Sequence, residues 1–231
     1  MTDVLDRLAE VGDELFRRVG DVLAGGGLPP DGSLGELLRR VGALPDEVLE
    51  HALRLDVDGL RAAALELRGV AGRFGELPGR LEADIGRSAW EGGGAEAFGI
   101  VWDALAAHIG EEGEPATITG RIAATAAYLD ALAAWAAGFR YELAEAIARV
   151  ATSAEAVTVL TARGEPGSDG TEVAVAAGRI ARRVLQTAAD ALAAADELRG
   201  RWAGRLAELE YQPPRVPSGP AVISGVTRVN L

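Results

Sequence analysis

At 231 residues the chain is long enough to bury about 70–75% of its unfolded surface and to fold without disulfide or metal staples. Its residues are 48% hydrophobic but only 5% aromatic, with Ala and Leu dominant and β-branched residues few, which argues for helix and against an all-β or Rossmann-type fold. The 23 basic residues, all Arg, stand against 35 acidic ones; the net charge of −12 repels phosphate backbones and anionic headgroups, so nucleic acid is not an expected partner.

The first helix is marked by Val4, Leu8, Val11, Leu15, Val19 and Val22 at spacings of three and four, and it stops at Gly25-Gly26-Gly27 with Pro29-Pro30 behind. Its start has no basic region followed by an unbroken apolar run, so a Sec- or Tat-type signal is not expected. Short helices are expected over 33–41 and 45–53, the second opened by Pro45 with Asp46 and Glu47 at the positive end of its dipole. Asp56 or Asp58 then caps a long helix in which Leu60, Leu67, Phe74 and Leu81 recur every seven residues, with Val70 and Leu77 between them. Pro78 predicts a kink or brief break before that helix resumes to about Ser88. The run Gly92-Gly93-Gly94 is too costly for a helix interior and predicts a reversal. Ala95, Phe98, Val101, Trp102, Leu105 and Ile109 then form the apolar face of a returning helix, which completes a helical hairpin.

Over 117–150 two rows stand out, Ile122, Leu129, Ala136, Leu143 and Val150 in one and Ile118, Thr125, Leu132, Phe139 and Ala146 in the other. The stretch 122–139 is the most membrane-like in the chain. It is mostly Ala, however, and carries Asp130 near its centre, so a soluble helix and no integral membrane segment are expected. After a polar loop at 164–170, a last long helix carries Val173, Ala177, Ile180, Val184, Leu192, Ala195, Leu198, Trp202, Leu206 and Leu209. Pro213, Pro214, Pro217 and Pro220 leave an extended tail.

The residue inventory gives no sign of chemistry. Cys is absent, and neither His51 nor His108 has a second His or a carboxylate at a zinc spacing. HExxH, EF-hand, P-loop and GxSxG patterns are absent, and the glycine triplets lack the Lys-Ser/Thr that cradles phosphate. The many carboxylates read as helix-surface solvation and pairing with Arg. No catalytic, cofactor-binding or metal-binding residue is expected, and the chain reads as non-enzymatic.

The opening Asp56-Val57-Asp58-Gly59-Leu60-Arg61-Ala62-Ala63-Ala64, followed by Ala89-Trp90-Glu91-Gly92, by Phe98 and by Trp102, resembles the WXG-motif family. These are ESAT-like helical-hairpin proteins of the type VII (ESX) secretion pathway of actinobacteria and related Gram-positive bacteria. The resemblance covers 56 to about 150. Trp90 and Gly92 match the family's turn motif, Phe98 matches its usual aromatic on the second helix, and Trp102 continues that hairpin packing. The family's export signal, Tyr-x-x-x-Asp/Glu, is matched by Tyr141 and Glu145, one turn apart and outside both core rows, where a partner can read them. The chain departs from the family by adding 1–55, by splitting the second hairpin helix around 110–115, and by adding a long helix and tail.

The expected fold is all-α, an elongated antiparallel helical bundle built around a WXG-type hairpin. Its expected parts are an N-terminal helical arm 1–55, the hairpin 56–151, a loop 152–171, a C-terminal helix 172–211 packing on the bundle, and an extended Pro-containing tail 212–231. Trp90 is expected to be buried across the hairpin end. The resemblance implies a type VII secretion substrate or secretion-associated protein, exported without a signal peptide. Its implied partners are itself, another WXG-type helical protein or a secretion ATPase, in a homo- or hetero-oligomer. The alternative is a cytosolic structural or scaffold protein that self-assembles through the same bundle.

Overall fold

The computed structural model describes residues 3–26, 32–88, 90–111, 113–162, 170–209 and 213. They form α1 (Val4–Gly26), α2 (Ser33–Val41), α3 (Pro45–Leu53), α4 (Val57–Arg87), α5 (Gly93–Ile109), α6 (Ile118–Ala151), α7 (Ala154–Thr161) and α8 (Gly170–Glu208). No strand occurs among the described residues, and the protein is all-α. Apart from Pro213, the expected tail 212–231 lies outside them, as does most of the polar loop at 164–170. The chain divides into two units, one of Met1–Gly59 with Ala131–Arg199, the other of Leu60–Asp130 with Gly200–Leu231.

The first unit holds the main core. Residues 1–55, expected as an arm, supply Leu5, Leu15, Phe16, Val19, Leu34 and Leu49 to it, against Leu143 and Ile147 of α6 and Ile180, Val184 and Leu185 of α8. Each such side chain contributes about 1.5–3 kcal/mol on burial. On α1 the buried face lies further round than the expected valine stripe, for Val4 and Val11 are exposed while Leu5, Phe16 and Leu23 are buried. The reason is Gly12: a Cβ there would stand 3.0 Å from Leu49 and 3.4 Å from Ile147, so its absence lets α1 close onto α3 and α6.

Local signals fix the short helices at the expected bounds. Gly42, at φ +71°, ends α2 and donates its N–H to the Leu38 carbonyl at 2.8 Å. Pro45 occupies the first position of α3, and the Leu44 N–H is met by the Glu47 carboxylate at 2.7 Å. Within the segment expected as loop, Ser153 opens α7 by accepting the Ala156 N–H at 3.2 Å, and Ala156 and Val159 are buried. On α8 the buried face passes through Ala188 and Ala191 and leaves Leu192 exposed, because two alanines pack closer than the expected leucine allows.

On α6 a row absent from the expected pair, Ala126, Ala133, Arg140 and Ile147, is buried. Arg140 donates Nε–H to Asp3 at 2.6 Å, one terminal N–H to Asp6 at 2.7 Å and the other to the Ala52 carbonyl at 2.6 Å. Asp3 and Asp6 also accept each other's backbone N–H, at 3.0 and 2.9 Å, a reciprocal box that caps α1. Nearby, Trp135 donates its indole N–H to the Ala191 carbonyl at 2.9 Å. By length and composition alone, α6 is apolar enough to cross a membrane.

Helix α4 is capped by Asp56, whose carboxylate accepts the Gly59 N–H at 2.8 Å, and enters the second unit at Leu60. Its seam runs through Leu60, Ala64, Leu67, Ala71 and Phe74; the two alanines are fully buried, while Leu77 and Leu81 of the expected row are exposed. Of the kink or brief break expected at Pro78, the break does not occur, and the helix continues through it. Proline removes one backbone bond, and with Gly75, Glu76, Leu77 and Gly79 exposed, water can serve the freed carbonyl. Between α5 and α6 the Thr117 hydroxyl donates to the Glu114 carbonyl at 2.7 Å and accepts the Gly120 N–H at 3.1 Å, capping α6. Gly110, at φ +58°, faces this threonine so closely that a Cβ would lie 2.1 Å from it. Arg68 pairs with Asp130, and Tyr128 lies 5.4 Å from Trp202, over which Arg205 stands at 5.2 Å.

The Arg140 guanidinium holds the Asp3 carboxyl below the usual carboxylate range, and partial burial opposes that pull only in part. A depressed acid stabilises the fold above its unfolded pKa and loses that contribution as pH falls through the folded value. Arg140→Met should therefore lower stability by about 1–3 kcal/mol at neutral pH. The difference from wild type should shrink as pH falls from about 7 to about 3. Urea melts of both proteins across that range check it, and a pH-independent difference would sink the assignment.

Candidate functional site

The residues singled out by the turn motif stand at the start of α5. Gly92 sits at φ +100°, ψ −178°, a backbone state open essentially to glycine alone. Its carbonyl accepts the N–H groups of Ala95 at 2.9 Å and Glu96 at 3.2 Å, so Gly92 is the capping residue of the helix. Gly93 and Gly94, expected to lie in a released backbone, form the first turn of α5 instead. That position is one where a helix has few bonds to lose.

From this turn the aromatic side chains run in series. The Trp90 ring lies 5.4 Å from Phe98, tilted by 49°, and Phe98 lies 6.4 Å from Trp102, nearly parallel at 4°. Phe98 and Trp102 are one helical turn apart, so the stack follows from sequence spacing once α5 forms. Trp102 is buried, at 8% exposure. Trp90, expected to be buried, is half-buried: its indole nitrogen is covered, but part of the ring faces outward. Neither the Trp90 nor the Trp102 indole N–H meets an acceptor among the described residues, which weakens the stack as a purely structural device.

On the same helix, Val101, Leu105 and Ile100 are exposed, although the first two belong to the expected buried face. The apolar surface of α5 is thus wider than the aromatic row that lies inside the unit. Leu77 and Leu81 of α4, one turn apart, are exposed as well.

Tyr141 and Glu145 belong to the first unit, and the turn motif belongs to the second. Tyr141 is 62% exposed, and Glu145 is exposed and pairs with Arg149 at 3.0 Å. The pair of side chains stands one turn apart on α6. Sequence reasoning missed Arg140, the most extensively hydrogen-bonded side chain near them. Its only signal is a cation set in a long Ala-rich stretch.

No group of three or more His, Asp or Glu side chains is placed to hold a metal ion among the described residues. Compared with protein-family models, with curated proteins and with solved structures, the chain matches none.

A side chain at Gly92 would be forced into the left-handed region, so Gly92→Ala should lower stability by about 1–3 kcal/mol. Trp90→Ala should lower it by about 1–3 kcal/mol, less than the 3–5 of a fully packed Trp, because the ring is only half-buried. Chemical denaturation of the full chain measures both. Changes below about 0.5 kcal/mol in each would show that the turn contributes nothing to the fold.

Proposed function

We propose that the chain is a non-enzymatic, WXG-like helical protein of type VII secretion, a substrate or secretion-associated partner that works through helix–helix contacts. The observation that carries this reading is the exposed apolar surface on the two helices flanking the Trp90 turn, with Ile100, Val101 and Leu105 on α5 and Leu77 and Leu81 on α4. A helix that keeps leucine, isoleucine and valine in water beside a partly buried aromatic row is suited to bury them against another helix. The half-buried Trp90 over a positive-φ Gly92, followed by Phe98, supports the WXG-type hairpin.

Contacts within the units support antiparallel packing of α6 with α4 and with α8, while α1 runs in the same sense as α6. In the second unit Arg68 meets Asp130 and Gly75 stands beside Thr119, so rising numbers on α4 meet falling ones on α6. In the first, Trp135 meets Ala191 and Glu155 meets Arg179 at 3.3 Å, the same sense for the α6–α7 stretch against α8. The partner is a second copy of this chain or another WXG-type helical protein, and Tyr141 with Glu145 forms the export signal. A cytosolic scaffold that self-assembles through the same surface is the alternative that the test below separates.

Replacing Tyr141 and Glu145 together by Ala should change folding stability by no more than about 1 kcal/mol, since both are exposed. Appearance of the protein in the culture medium of a type VII-competent host should nevertheless fall sharply. Normal export of the double variant would remove the signal assignment. Retention of the wild type in the cytosol, with an oligomer that Ile100→Asp/Leu105→Asp dissolves in light scattering, would put the scaffold first.

A further inference from the structure

A cavity of about 620 Å³ opens in the first unit between the end of α6, the start of α7 and the middle of α8. Its floor is apolar, with Val150 and Ile180 almost fully buried. Its walls are cationic. Arg179, Arg182 and Arg183 lie three and four residues apart, on one face of α8, and Arg149 faces the same space from α6. Two carboxylates, those of Glu155 and Asp190, line the cavity with these four guanidinium groups, and Glu145 pairs with Arg149 beside it, so the lining stays net cationic. The chain as a whole carries −12, so this concentration of one sign runs against the average surface.

Two of these arginines form ion pairs at the surface. Arg149 pairs with Glu145 at 3.0 Å and Arg179 with Glu155 at 3.3 Å, and both guanidinium groups are more than half exposed. Exposed pairs of this kind have little net strength and yield to a stronger acceptor. Asp190 is engaged by the Gln186 amide at 2.8 Å. Ser153, the capping residue of α7, also lines the cavity, so the positive end of that helix dipole faces the same space.

We propose that this cavity binds a phosphate-bearing small molecule, held by Arg149 and Arg183 with Arg179 and Arg182 beside them. One phosphate group brings about two negative charges to one point, where a carboxylate brings one, and so suits a cluster of guanidinium groups better. The guanidinium fork meets phosphate oxygens in pairs, and the volume falls within the range of small-molecule sites, about 300–1,000 Å³.

Isothermal titration of the full chain with inorganic pyrophosphate tests this. Saturable binding of one anion per chain is expected, weakened at least about tenfold in Arg149→Gln/Arg183→Gln. The control Arg80→Gln/Arg87→Gln, which alters exposed arginines of α4, should bind as wild type does. Should the glutamine variant melt early, Arg149→Lys/Arg183→Lys retains both charges and must still bind more weakly, because lysine lacks the two-pronged geometry. Non-saturating uptake, equal loss in the control, or unchanged affinity in the lysine variant would overturn the site. Tighter binding of a Glu-rich peptide than of pyrophosphate would overturn it in favour of protein docking.

Discussion

A single buried cation sets the register of the first unit. Taking the Arg140 guanidinium out of water is tolerable only because Asp3, Asp6 and the Ala52 carbonyl together meet its donors. Those acceptors come from the start of α1 and the last turn of α3, so one side chain on α6 aligns three helices at once. Two turns further along α6, Ile147 lies against the gap left by Gly12 on α1. Asp6 at Arg140 and Gly12 at Ile147 give α1 and α6 the same sense, with α3 closing over both through Leu49 and Ala52. The apolar core then fills a space whose geometry this polar joint and that missing side chain have already fixed.

Helix existence could be read from the sequence wherever a terminus has its own chemistry. Pro45, Gly42 and Asp56 each satisfy or remove a backbone group that a helix end leaves unpaired, and the structure begins or ends helices there. Facing was much harder to read, because alanine carries the closest contacts and contributes least to an apolar pattern. Ala64 and Ala71 on α4, Ala126 and Ala133 on α6, and Ala188 and Ala191 on α8 are all buried. Larger residues at neighbouring positions, Leu77, Leu81 and Leu192, are exposed. A pattern weighted by side-chain size follows the leucines, while the packing follows the gaps that let two backbones approach. Arg140 was hidden for a related reason: its charge marks it for the surface unless its two carboxylate partners, more than 130 residues away in sequence, are known.

The aromatic turn divides in the same way. Its backbone was legible, because a glycine after a tryptophan ahead of an apolar helix is suited to a position that other residues cannot occupy, and Gly92 takes a positive φ there. The Phe98–Trp102 stack was legible as well, being one turn of α5. The exposure of Trp90 was not, since it depends on which groups cover the ring, and the ring's own sequence neighbours supply only Phe98. For Tyr141 and Glu145 helical spacing was enough to place them outside the core rows. Recognition by a partner is a separate matter, which no packing pattern encodes.

The distribution of burial bears on why the exposed surface persists. Among the described residues the second unit buries only a few apolar side chains, Ala64, Ala71, Trp102, Ile109 and Ala126, and three of these five are alanine. Alanine brings close approach but little apolar area, so the unit draws less stabilisation from its own interior than the first unit draws from its Leu, Ile, Val and Phe core. The leucine, isoleucine and valine that it leaves outside are the side chains that would supply the missing area. A partner that covers them adds stability by mass action to the folded form alone, because only the folded form presents Val101 with Leu105, and Leu77 with Leu81, as one-turn pairs. Weak internal burial and an exposed apolar face thus go together in the second unit, because alanine packing leaves the larger side chains outside.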